Sequence, residues 1–389
     1  MTLPFAALLL SLQTPDFAGT IVTPKMSARV GPLPVVAILW DPGRPDHLAP
    51  SKESIEDLLF GKNRSVAGWW RENSGGRSTL QKAGVLGWYK SDFLADHYWR
   101  AESEDKGRTG FLNGHVEKWA EAIRKADKEF DFAKYDRNRN GTLEPTELGI
   151  LFVIPQNGPF GTMRQPAGRE VPAWEPLTVD GIRIPAITEA YIGSPPNLGL
   201  VAHELSHLLL GAPDMYLDAP HRAGALSIMD VSYRSVHLGP FEKLKLGWLK
   251  PRVVSRTGDF WLRDVETSGE TLLVWDPERG PEEYFMIENR WRGSSYDADG
   301  LPSDGVVVWH IMETPKDFLT DAPRGTSTDD WGRWGVRLLR SKSGTADVDA
   351  FFAPNESHEL PWRRTGKRRV FWEMNGEPGA RVRVRITLR

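Results

Sequence analysis

The chain has 389 residues and no cysteine. That excludes disulfides, thiol nucleophiles and thiolate metal ligands, so any transition metal must be held by histidine and carboxylate. A net excess of either charge is also lacking. A net charge of −3 offers no basic field for a nucleic acid or an anionic membrane surface. The densest basic group, Arg363 to Arg369, reads as the solvated edge of a strand or turn. Long apolar runs are missing too, and none reaches the roughly 20 residues a membrane span needs. Phe5–Leu12 has about the length of a signal-peptide core, although no Lys or Arg precedes it and no clear small-x-small site comes after it. Residues 1–32 are therefore expected to be a leader or signal segment, and the protein is expected to be secreted.

What is present includes 16 Trp, enough to make cores or substrate surfaces aromatic. Pro34–Trp40 is a continuous apolar run stopped by Asp41-Pro-Gly, which predicts a buried strand. Ser51–Leu59 and Ser65–Glu72 read as helices, and Thr79–Tyr89 as a hairpin-like stretch. Val116, Trp119, Ile123 and Ala126 lie near a 3.6-residue period and predict an amphipathic helix over 113–130. Leu148–Ile154 predicts a second buried strand, and Leu198–Leu210 a helix ended by Gly211 and Pro213. After Pro251 short alternating segments recur, with Val382, Val384, Ile386 and Leu388 the clearest. The expected architecture is a mixed α/β catalytic domain over 33–250, with a mixed sheet crossed by an active-site helix. An all-β, sandwich-like domain is expected over 251–389.

The strongest chemical signal is His203-Glu-Leu-Ser-His207. On a helix, residues four apart share a face, so both imidazoles reach one zinc ion, and Glu204 stands beside His203 to handle protons. Zinc would polarise a scissile carbonyl and acidify water at neutral pH. A catalytic zinc takes a third protein ligand. Asp214, after the turn permitted by Gly211, is one candidate. Glu242, arriving from a second segment, is the other. The competing reading is a buried helix with two satisfied histidines.

Asp136-Arg-Asn138-Arg-Asn140-Gly141-Thr142-Leu143-Glu144-Pro-Thr-Glu147 matches a twelve-residue calcium loop. Oxygen-bearing Asp136, Asn138, Asn140, Thr142, Glu144 and Glu147 fall at ligand positions, Gly141 makes the turn and Leu143 packs inward. A single loop leading into an apolar strand predicts a structural calcium ion rather than a regulatory pair. The competing reading is a polar turn.

Taken together, these residues resemble the immune inhibitor A (M6) family of zinc metallopeptidases. The resemblance rests on the zinc helix with Gly211-Ala-Pro-Asp214-Met-Tyr216, on Ser227-Ile-Met229 as a Met-containing turn, and on Phe241–Trp248. Ser65–Gly76, Glu283–Arg290 and Gly305–His310 add to it, so it spans roughly residues 33–310. It implies a zincin fold, endopeptidase activity on polypeptide substrates, one catalytic zinc and bound calcium. Gly211 and Asp214 each stand one residue later than the family's usual spacing. In peptidases of this kind a tyrosine or histidine stabilises the oxyanion, and Tyr216 and Tyr233 are the tyrosine candidates. His221, His237 and His310 are alternatives, although a lone histidine is usually structural. The expected protein is a monomeric metalloendopeptidase. The alternative is an inactive, calcium-stabilised binding or adhesion protein that keeps the fold; a zinc hydrolase of a non-peptide bond is a third reading.

Overall fold

A computed structural model describes residues 26, 28–45, 47–99, 108–156, 177–193, 195–212, 214–215, 223–313, 335–341 and 346–389. The expected leader falls almost wholly outside these residues, as do Tyr216 and His221. The chain is mixed α/β and rich in sheet.

The first half is built on β1 (Gly31–Asp41), β2 (Ser78–Lys90) and β3 (Gly149–Pro155). A small hairpin of β4 (Leu177–Val179) and β5 (Ile182–Ile184) precedes β6 (Thr188–Ile192). The sheet order is β2-β1-β3-β6, and every pairing within it is parallel. A mixed sheet was expected; among the described residues this one is uniformly parallel. Parallel neighbours need long crossovers. β1 returns to β2 through α1 (Lys52–Phe60) and α2 (Val66–Asn73). β2 leads to β3 through α3 (Ala95–Trp99) and α4 (Arg108–Ala126). Ser51 and Ser65 cap α1 and α2, each side chain accepting a backbone N–H from the first turn.

β1 reads as an unbroken apolar run because both its faces are buried. Val35, Ala37 and Leu39 enter one core with α1, α2 and the later helix α5 (Leu198–Leu210). Val36, Ile38 and Trp40 enter another with Trp119, Ala122, Ile123 and Ala126 of α4. The expected hairpin at 79–89 is instead one long strand paired with β1 along its length. Its glycines mark register slips, not a turn: Val36 pairs with Gly84 after Val35 pairs with Lys82, and a second slip falls at Gly87. A Cβ on Gly87 would lie 2.3 Å from the Leu39 carbonyl oxygen, so the close approach of the strands there requires glycine.

From residue 252 the described regular elements are strands, apart from the short helix α7 (Val265–Ser268) and three single 3-10 turns. It enters this half from α6 (Pro240–Lys245). β7 (Arg252–Val253), β9 (Thr271–Trp275), β10 (Glu283–Arg290), β11 (Gly305–Met312) and β12 (Val336–Leu338) form one sheet. β8 (Gly258–Arg263), β13 (Ser357–Glu359), β14 (Val370–Asn375) and β15 (Arg381–Leu388) form another. Phe285, Ile287, Val306 and Val308 pack against Phe260, Trp372, Val384 and Ile386 to make the core between the two sheets. The opposite face of the first sheet, with Tyr284, Met286, Val307, Trp309 and Ile311, joins the core that also holds α2 and α5. This sheet is therefore covered on both sides, and the hydrophobic core continues across residue 250.

Candidate metal centre

Helix α5 runs from the Asn197 cap, whose side-chain oxygen accepts the Leu200 N–H at 3.1 Å, to Gly211. Gly211 adopts φ +68, and its N–H bonds back to the His207 and Ser206 carbonyls, closing the helix in a left-handed turn. The helix packs on the sheet at β3 and β6, with Gly149 beneath Leu209. His203, Glu204 and His207 are all buried, each no more than 6% exposed.

The His203 and His207 rings bring their Nε2 atoms to 3.0 Å of each other. Asp214 Oδ1 lies 3.0 Å from His207 Nε2 and 3.2 Å from His203 Nε2. The turn at Gly211 thus absorbs the one-residue shift in spacing and returns Asp214 to the histidines. Each ring's other nitrogen faces a backbone carbonyl: His203 Nδ1 the Ile228 oxygen at 2.8 Å, His207 Nδ1 the Ala212 oxygen at 2.6 Å. With Nδ1–H donating in both rings, both Nε2 lone pairs and a carboxylate oxygen meet as three acceptors. A cation answers that arrangement. The separations approach the roughly 3.3 Å edge of a tetrahedron whose bonds are about 2.0–2.1 Å, the zinc–nitrogen and zinc–oxygen lengths. Burial raises the Asp214 carboxyl, but the hydrogen bonds and charges that the two histidines offer when protonated outweigh it and hold the group well below the usual carboxylate range.

Glu204 offers a carboxylate oxygen within 4.8 Å of a nitrogen on each histidine, and its Oε2 is buried without a hydrogen-bond partner. Burial pushes its pKa up to about 8; the Asp214 and Glu189 charges push the same way, and His203 opposes them. A carboxyl poised in this way can take up and release a proton near neutrality.

Glu242 sits on α6, fully buried and raised to about 7 by burial, and it joins neither histidine–carboxylate cluster found among the described residues. Tyr233 is 67% exposed, with the Arg234 guanidinium 5.6 Å over its ring and its carbonyl oxygen accepting from Asn197. It therefore lies over the N-terminal end of α5. In the segment Ser227-Ile-Met229, Met229 is fully buried and Ile228 supplies the carbonyl that orients His203. Sequence reasoning missed the carbonyls of Ile228 and Ala212, because backbone atoms leave no residue-type signature. Glu189, whose charge acts on Glu204, was missed as well.

The loop from Asp136 winds on its own side chains. Asp136 accepts from the Asn140 and Gly141 amides at 3.2 and 3.0 Å, Asn138 from Asn140 at 2.9 Å, and Asn140 from Thr142 at 2.8 Å. Glu147 accepts from the backbone of Arg137, Asn138 and Glu144. Gly141 adopts φ +76, and Leu143 is buried in the core beneath α4. Asn138 and Asn140 both donate side-chain amides to Glu144. The three carboxylates point into one loop, although they do not gather as tightly as the histidine cluster. Strand β3 comes directly after it.

No protein-family model and no curated protein matches the chain. Among the described residues no helix is long and apolar enough to cross a membrane.

Proposed function

We propose that this chain is a zinc-dependent endopeptidase with a zincin-like catalytic unit, of the immune inhibitor A kind that its motifs resemble. The convergence of His203 Nε2, His207 Nε2 and Asp214 Oδ1 at 3.0–3.2 Å carries the reading. These three residues would hold the metal, with Glu242 left outside. Bound Zn2+ would supply a Lewis acid for the scissile carbonyl and bring the pKa of water toward about 7. Glu204 receives the proton of the attacking water at its unpartnered carboxylate oxygen and passes it to the leaving amine. Burial favours its protonated form and so readies it for the second transfer. The Ile228 and Ala212 carbonyls fix the tautomer and tilt of both histidines, the role outer partners play in metal sites. Tyr233, free at its hydroxyl among the described residues, is the proposed oxyanion donor. Calcium in the 136–147 loop would fasten the segment after α4 to β3. The substrates are polypeptides, and the protein acts outside the cell as a monomer.

Casein degradation by wild type and by Glu204→Ala, each with and without a zinc chelator, tests the reading. Activity confined to untreated wild type is expected. Hydrolysis by Glu204→Ala equal to wild type would remove Glu204 from its role, and hydrolysis unaffected by the chelator would remove the metal.

A further inference from the structure

A second group of ligand-type side chains lies away from α5 and plays no part in the chemistry above. Glu72 at the end of α2, His237 before α6 and Glu266 on α7 bring their ligand atoms within 4.8 Å of one another. His237 Nε2 lies 3.1 Å from Glu266 Oε1 and 3.4 Å from Glu72 Oε1. His237 is fully buried, yet its Nε2 meets neither carboxylate in hydrogen-bond geometry, and Glu72 Oε1 is likewise buried without a hydrogen-bond partner. The carboxyls of Glu72 and Glu266 also meet each other. Two carboxylates this close repel unless a proton or a cation stands between them.

Glu288 and Asp297 are buried nearby and are spent on Arg290, at 3.0 and 2.7 Å. Lys243 is fully buried, with its amine 3.0 Å from His237 Nδ1. With Nδ1 engaged by that amine, Nε2 is the ring atom that faces the two carboxylates. The backbone amides of Tyr296 and Asp297 hold Glu266 Oε1 at 2.8 and 3.1 Å, so that carboxylate is already oriented. Glu72 and Tyr296 also line an open cavity of about 600 Å³.

We propose that Glu72, His237 and Glu266 form a second metal site, which takes a zinc-type divalent ion in a structural role. One imidazole and two carboxylates suit such an ion, and the two separations from Nε2 bracket the roughly 3.3 Å edge expected for bonds of about 2.0–2.2 Å. The ion would clamp three segments that are distant in sequence, two from the first half and one from the second. It would also brace the catalytic site. The His237 carbonyl accepts the Ile228 N–H at 3.1 Å, and the Ile228 carbonyl holds His203 Nδ1. The proposal stands whether or not the histidines of α5 are catalytic.

The test counts metal in purified chain by mass spectrometry and then substitutes cobalt. Wild type is expected to hold about two zinc equivalents, and the double variant His203→Ala/His207→Ala and the single variant Glu72→Gln about one each. Cobalt in the double variant should give visible d–d absorption, with a nitrogen/oxygen shell containing one imidazole by X-ray absorption. Adding Glu72→Gln should abolish it while circular dichroism stays unchanged. A double variant that binds neither zinc nor cobalt overturns the proposal, because the cluster is then closed by a proton. Cobalt bound with no imidazole, or zinc unchanged by Glu72→Gln, overturns it equally. If the triple variant does not fold, the cobalt spectrum and ligand shell of the double variant decide by themselves.

Discussion

Gly199 stands in the first turn of the helix that carries the histidines, where alanine should do better. In an exposed helix the replacement would stabilise by roughly 1 kcal/mol. Here a Cβ would lie 2.1 Å from the Arg234 carbonyl oxygen and 2.8 Å from that of Ser232. Ordinary contact begins near 3.4 Å, so the helix start and the 232–234 loop must separate by about 1 Å. Backbone, unlike the end of a flexible side chain, gives way only by moving a segment. Overpacking of this kind costs about 1–3 kcal/mol, and a rigid carbonyl puts it toward the upper end. Gly199→Ala should therefore destabilise by about 2 kcal/mol net, opposite in sign to helix propensity. The consequence for function is larger. The same loop carries Tyr233 and comes after the turn whose Ile228 carbonyl orients His203. A misplacement near 1 Å can lower turnover on the order of a hundredfold. Urea unfolding with a fixed m-value gives the stability change, and casein turnover gives the rate. A variant as stable as wild type and equally active would refute the close packing of this loop on the helix.

Three further perturbations probe other parts of the molecule. His310 is buried against Glu283 at 2.8 Å, and burial lowers its pKa from 6.5 to about 4. The folded form resists a proton that the unfolded chain accepts, so this stabilisation is complete above pH 6.5 and disappears as pH falls toward 4. It amounts to about 3 kcal/mol, and His310→Gln, which cannot titrate, should show a correspondingly flatter loss of stability over that window in urea titrations. Glu147→Gln should abolish the calcium-induced rise in Tm. Because Glu147 also accepts three backbone amides, its Tm in chelator should fall too, so the increment rather than the absolute Tm is read; an increment equal to wild type would refute the calcium assignment. Asp214→Asn should weaken zinc binding by more than the roughly 10–100-fold that loss of an outer partner costs, while Glu242→Gln leaves it unchanged. Competition with a fluorescent zinc chelator measures both.

Legibility in the sequence depends on how local each signal is. His203, Glu204 and His207 lie within one helical turn, so residue type and spacing were enough to pair them. Asp214 was harder. Its extra residue rotates the downstream chain if the helix continues, and only the left-handed turn at Gly211 reveals that the chain comes back. The strands at Val35–Trp40 and Ile150–Ile154 were legible because runs buried on both faces have no polar interruptions. The same glycine signal that marks turns elsewhere misled at Gly84 and Gly87, where a long parallel strand bulges. The textural change near residue 251 marks a passage to antiparallel strands. It gave no sign that Trp309 and Met286 reach back into the core that also holds α5. Glu72, His237 and Glu266 were invisible as a group, since no spacing rule links residues brought together from three separate elements.

The most direct test of the central claim is an anomalous difference map from crystals measured just above the zinc edge. A peak bounded by His203 Nε2, His207 Nε2 and Asp214 Oδ1 is expected, with Glu204 beside it and Glu242 remote. Ordered histidines in zinc-replete crystals with no peak between them, or a peak whose third ligand is Glu242, would contradict it.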